Sequence, residues 1–163
     1  MNKFKLILFF FVLFFNQSLL ISQNIIFYDL EGNKIEIDST LTNIFICVST
    51  NSCHNCYIEL NAFLRNEKIY DNSNYNIHTL SILDENNSYD IATKKAIYNS
   101  SKYYFPNINK RLFVISENNK NNYISSLNKK QFPIIIIETN NGIREIYTYK
   151  NFINAIKTNR FKL

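Results

Sequence analysis

Residues 49–60 read STNSCHNCYIEL, and the pair Cys53 and Cys56, two residues apart, is the arrangement in this chain best suited to chemistry. Two such cysteines can staple a fold, supply half of a metal site, or exchange electrons with another disulfide. As a staple the pair gains little, because the ring it closes is very small and loop-closure entropy rewards long loops. As a metal site it needs further ligands, and the remaining candidates, Cys47, His54 and His78, include no second closely spaced pair. As a redox element the spacing is favourable. A helix beginning at about Cys53, capped by Asn51 or Ser52, puts Cys53 in its first turn and Cys56 one turn further along the same face. The unpaired N–H groups and positive dipole end of the helix favour a thiolate, so Cys53 becomes the candidate nucleophile and Cys56 the resolving thiol.

The neighbours of the pair could tune it. A protonated His54 would set a positive charge beside the thiolate, and a solvated side chain on the first turn is the equally open alternative. Cys47 lies inside the apolar run 42–48, where a free cysteine behaves as a small hydrophobe. His78 reads as a strand residue at a sheet edge rather than a ligand. Thr50-Asn51-Ser52-Cys53 echoes a peroxidase Thr-x-x-Cys motif, but Ile46 stands where that motif has its upstream proline, and no arginine follows at a suitable position.

The elements that must position the pair follow from hydrophobic pattern. TNIFICV (42–48) is a nearly continuous apolar, β-branched run, as expected of a strand buried on both faces, and YIELNAFLRN has helical spacing through Ile58, Ala62 and Phe63 or through Leu60 and Leu64. Strands are expected at 76–83 and 111–116, a helix at 88–103 and a short helix near 123–127. The run IIIIETNNGIREIYTY, with its Asn140-Asn141-Gly142 turn, predicts a hairpin, and NFINAIKTNRF a closing helix. Upstream, NIIFYDLEGNKIEID predicts two short strands around Gly32-Asn33. Alternating strands and helices followed by a hairpin indicate an α/β domain with a mixed sheet and helices on both faces.

These features together resemble the thioredoxin-like fold, and within it the exported TlpA/ResA-like thiol-disulfide oxidoreductases. The resemblance spans about residues 25–160 and rests on the strand ending at Val48 followed by Cys53-His54-Asn55-Cys56, on Glu59, and on Phe132-Pro133 ahead of IIIIETNNGIREI. It implies a three-layer α/β/α sandwich with a mixed central sheet and an N-terminal β-hairpin extension. It implies that Cys53, Cys56, Pro133, Glu59 and His54 form the site, with Pro133 a cis-proline facing the pair and Glu59 influencing it. The residue-level alternatives are an ordinary edge-strand start for Pro133 and an exposed first-turn acid for Glu59. Ser52, Asn55 and Ile134 replace the family's usual Trp, Pro and Thr. The implied activity is disulfide exchange with envelope proteins, with no organic cofactor and no metal, by a monomer that a membrane thiol reductase could supply with electrons. A non-catalytic thioredoxin-like binding module is the competing expectation.

Composition sets the outer limits. The chain has 163 residues, 46% of them hydrophobic and 15% aromatic, with two Gly and two Pro, which suits one globular domain whose turns rely on Asn and Asp. Residues 1–22 carry a basic start (MNKFK), an apolar stretch (LILFFFVLFF) and a more polar exit, the pattern of a secretory signal peptide cleaved near Ser22, with a retained membrane anchor as the alternative. The folded part is then 23–163, working in the periplasm or cell envelope. Without Lys3 and Lys5 the formal charge falls from +5 to +3, and the basic residues are scattered, which argues against nucleic-acid binding.

Overall fold

The computed structural model describes residues 25–49, 53–83, 90–115, 133–139 and 144–158. The expected signal segment, the short helix near 123–127, Asn51, Ser52, Phe132 and the Asn140-Asn141-Gly142 turn lie outside these residues. Among the described residues no helix is long and apolar enough to cross a membrane.

The strands are β1 (Phe27–Tyr28), β2 (Lys34–Ile35), β3 (Thr42–Val48), β4 (Tyr75–Leu83), β5 (Lys110–Ile115), β6 (Ile134–Glu138) and β7 (Arg144–Thr148), and the helices are α1 (His54–Asn66), α2 (Ile91–Tyr104) and α3 (Tyr149–Lys157). They build one seven-stranded sheet in the order β2-β1-β5-β4-β3-β6-β7. β3, β4 and β5 are parallel, whereas β6 and β7 are antiparallel to their neighbours, so the sheet is mixed as expected. β1 and β2 form the N-terminal hairpin, in which Gly32 takes a left-handed conformation (φ 92°) and the Asp29 carboxylate accepts the backbone N–H of Asn33 at 2.7 Å.

Alternation along the strands divides the core in two. Ile44, Ile46, Val48, Ile135 and Ile137 face the cluster that receives Tyr57, Leu60, Phe63 and Leu64 of α1, Ile97 of α2, and Phe152 and Ile153 of α3. Phe45, Cys47, Leu80, Leu112, Val114, Ile134 and Ile136 face the other side. The described helices therefore share one face. For α1 the stripe runs through Leu60 and Leu64, leaving Ile58 49% exposed and Ala62 exposed.

The ends of the helices explain their limits. Asp90 caps α2 by accepting from Ala92 and Thr93 N–H, so the helix starts at Ile91 rather than 88. Thr148 ends β7 and caps α3, which moves that helix forward to Tyr149. His78 is the clear departure from expectation. It lies on β4, in the middle of the sheet between β3 and β5, and is 2% exposed. A polar ring is tolerated there because its Nε2 lies 3.2 Å from Asn43 Oδ1, while Asn43 Nδ2 donates to the carbonyls of Asp38 and Leu41.

Candidate active site

Cys53 and Cys56 form a disulfide with their Cα atoms 5.3 Å apart. β3 delivers the chain to this point from the centre of the sheet, and α1 leaves it. The cap of α1 is neither Asn51 nor Ser52 but Cys53 itself, in an extended conformation, with its sulfur accepting the Cys56 N–H at 3.3 Å. The Cys53 carbonyl accepts from Cys56 and Tyr57 N–H at 3.1 and 3.3 Å. A sulfur at the cap position meets the unpaired N–H groups and positive dipole end of the helix, the environment that stabilises a thiolate once the bridge opens. Cys53 is exposed and Cys56 half-buried, so the first is the more open to an incoming partner.

Cys47 takes no part. It is fully buried, unbridged, and faces the side of the sheet opposite α1, and burial pushes its thiol up to about 12. Glu59 is exposed and sits in the second turn of α1, three residues past Cys56, rather than in the first. Pro133 is buried immediately before β6. Because β6 lies between β3 and β7, it is no edge strand, and a proline just ahead of its first residue costs no ladder bond. Cys47 pairs with Ile134, so Pro133 falls one step further along, at the end of the sheet where β3 leads toward Cys53.

An aromatic cluster that sequence reading missed packs beside the pair. His54 is exposed at the first position of α1, its Nδ1 2.5 Å from the Tyr104 hydroxyl and its ring edge-on to Tyr104 at 5.2 Å. Tyr104 packs at 4.9 Å against Tyr57, which in turn meets the edge of Phe105 at 5.7 Å. The YYF run at the end of α2 was the available signal, but its proximity to a residue fifty positions earlier is a tertiary fact. Among the described residues no group of three or more His, Cys, Asp or Glu side chains is placed to hold a metal ion.

No family model matches the chain, and no curated protein matches it. Solved structures do. A thiol:disulfide interchange protein from Bacteroides sp. superposes with a TM-score of 0.52 at 16% identity, over 82% of this chain and 84% of that one. A thioredoxin-like protein from Porphyromonas gingivalis gives 0.52 at 16% identity, over 82% and 88%. The N-terminal domain of PilB from Neisseria gonorrhoeae gives 0.52 at 11% identity, over 84% and 90%. The chain has the thioredoxin-like fold. In this thioredoxin-like domain the Cys53-Cys56 pair occupies the junction between a central parallel strand and the following helix, with Pro133 at the same end of the sheet.

Proposed function

We propose that this chain is an exported thiol-disulfide oxidoreductase that exchanges disulfides with proteins of the cell envelope through Cys53 and Cys56. The observation that carries the reading is an exposed Cys53 whose sulfur caps α1 and is bridged to Cys56 within a thioredoxin-like fold. Export is supported by the signal-like pattern of residues 1–22.

In the reducing direction, the Cys53 thiolate attacks one sulfur of a partner disulfide. A bond forms between Cys53 and that sulfur, the partner's S–S bond breaks, and its second cysteine leaves as thiolate and takes up a proton. Cys56 then gives up its proton and attacks the Cys53 sulfur, which restores the intramolecular bridge and releases the partner's first cysteine as a thiol. Two electrons pass from the cysteine pair to the partner. The same steps reversed oxidise a dithiol, and the potential of the pair sets the direction. A dithiol on a membrane thiol reductase would regenerate the reduced form. Pro133, at the cysteine end of the sheet, borders the surface where the partner's segment lies, while Glu59 faces solvent one turn beyond Cys56 and acts at most through its charge.

The test is reduction of insulin disulfides by the pre-reduced protein. Turnover is expected, with Cys53→Ser abolishing it. Absence of turnover together with a stable complex with an envelope partner would replace this reading with that of a thioredoxin-like binding module.

A further inference from the structure

Among the described residues three large apolar side chains are strongly exposed: Tyr103 at 71%, Ile91 at 65% and Ile58 at 49%. Such residues need no explanation when scattered singly, but Tyr103 and Ile58 both stand beside the cysteine pair. His54 follows Cys53 in the chain, and Ile58, four residues on, shares its face of α1. From α2 the Tyr104 ring meets His54 edge-on at 5.2 Å, and Tyr103 meets Tyr104 edge-on at 5.2 Å. One strip therefore runs through Ile58, His54, Tyr104 and Tyr103, exposed except at half-buried Tyr104, with Cys53 at its margin. The strip is held in place from below. Tyr104 packs at 4.9 Å on buried Tyr57, whose hydroxyl accepts the Ser49 N–H at the end of β3, and a surface already ordered loses little freedom when it is covered.

We propose that this strip binds the polypeptide flanking the partner's reactive cysteine, and that it selects segments carrying an aromatic or large aliphatic side chain near that cysteine. This rests on the proposed disulfide exchange and names its substrate class. Exchange brings the partner's sulfur into bonding contact with the Cys53 sulfur, so the residues next to the partner's cysteine are carried onto the surface around Cys53. About three residues of extended chain, at about 3.3 Å each, span the two ring-to-ring steps from His54 to Tyr103. An apolar side chain at that distance leaves water for an aromatic surface, whereas a small hydrophilic disulfide such as oxidised glutathione gains nothing there. Glu59 and Lys102, the exposed chain neighbours of Ile58 and Tyr103, carry opposite charges, so apolar contact rather than net charge discriminates. Cysteines with apolar neighbours are mostly buried in finished proteins. The partners this surface fits are therefore chains that have not completed folding.

The experiment gives the pre-reduced protein two disulfide-linked peptide dimers that are identical except for Phe or Ser at that spacing on each side of the cysteine. The rate constant for reduction is expected to be about fivefold higher for the Phe peptide, the scale of one aromatic contact. In Tyr103→Ser and in Ile58→Ser the ratio is expected to fall toward one, and Ile91→Ser, at the opposite end of α2, is expected to keep the wild-type ratio. Equal wild-type rates on the two peptides, a ratio that survives when Tyr103→Ser and Ile58→Ser are combined, or one that Ile91→Ser lowers as much, would overturn the proposal. Self-association of the pre-reduced protein that Tyr103→Ser abolishes would overturn it as well, giving the strip to a second copy of the chain. If neither peptide nor oxidised glutathione is reduced, the exchange reading falls and this proposal with it. Equal reduction of both peptides removes the role of the strip alone.

Discussion

Tyr57 bridges the two ends of the cysteine loop: its hydroxyl accepts the Ser49 backbone N–H at 2.9 Å and donates to the Ser49 carbonyl at 3.4 Å, while its ring is buried against Tyr104 and Phe105. The strand before the cysteines and the helix after them are thereby fixed to one another independently of the disulfide.

Tyr57→Phe keeps the ring and removes both bonds, and it is expected to destabilise the oxidised protein by about 1 to 2 kcal/mol. Tyr57→Ala, which also opens a cavity, is expected to cost about 3 to 5 kcal/mol. Urea unfolding followed by circular dichroism measures both; equal losses for the two variants would show that the hydroxyl, not the ring, dominates.

The difference in exposure between the cysteines predicts their order of attack, Cys53 before Cys56. Cys56→Ser is expected to accumulate a mixed disulfide through Cys53 when presented with a disulfide substrate, because the resolving step is missing. Cys53→Ser is expected to trap far less. Non-reducing electrophoresis with mass analysis reads the outcome, and the opposite order would reassign the nucleophile to Cys56.

Cys47 should be chemically silent. With its side chain fully buried and its thiol pushed up to about 12, no thiolate is presented to solvent. Iodoacetamide at pH 8 is expected to leave Cys47 unlabelled in the folded, oxidised protein and to label it in urea, as judged by intact mass. Rapid labelling without denaturant would contradict its placement on the buried face of β3.

His78 makes the fold acid-sensitive. Burial lowers its folded-state value from 6.5 to about 4, with the Lys110 charge acting in the same direction. The unfolded chain takes up this proton near pH 6.5 and the folded chain only near pH 4, so stability falls as pH drops between those values and then levels off for this group. The loss is expected to reach up to about 3 kcal/mol. The carboxylates of Asp29 and Asp38, held below 3.8 largely by hydrogen bonds from Asn33 and Thr40, add losses only at lower pH, so the two windows separate. Urea midpoints between pH 7 and 4 test this, with His78→Gln expected to flatten the curve.

Much of the site was legible because it is local. The apolar run into Val48, the Cys-x-x-Cys spacing and the helical pattern after it lie within about twenty residues, and pattern alone placed the pair at a strand-to-helix junction. What sequence could not supply depends on pairing at a distance. A cysteine serving as its own helix cap has no side-chain signature to compete with the Asn and Ser just before it. Glu59, the sixth residue of α1, lies in the second turn by simple count, and Leu60 and Leu64 rather than Ile58 took the core-facing stripe. His78 looked like an edge residue until β5 paired beyond β4 and Asn43 supplied a partner. Tyr104 meets His54 across fifty residues of chain, and no periodicity encodes that meeting.

The antiparallel pairing of β3 with β6 has a consequence for assembly. Cys47 finds its partner Ile134 only after nearly ninety further residues have been synthesised, and Pro133 arrives with that strand. During translation both thiols of the pair therefore emerge well before Pro133 and the strand that follows it. Such non-local closure is slow compared with forming α1. The nascent chain passes through an interval in which its cysteines are present without a finished site, open to foreign oxidants and to mispairing with other chains.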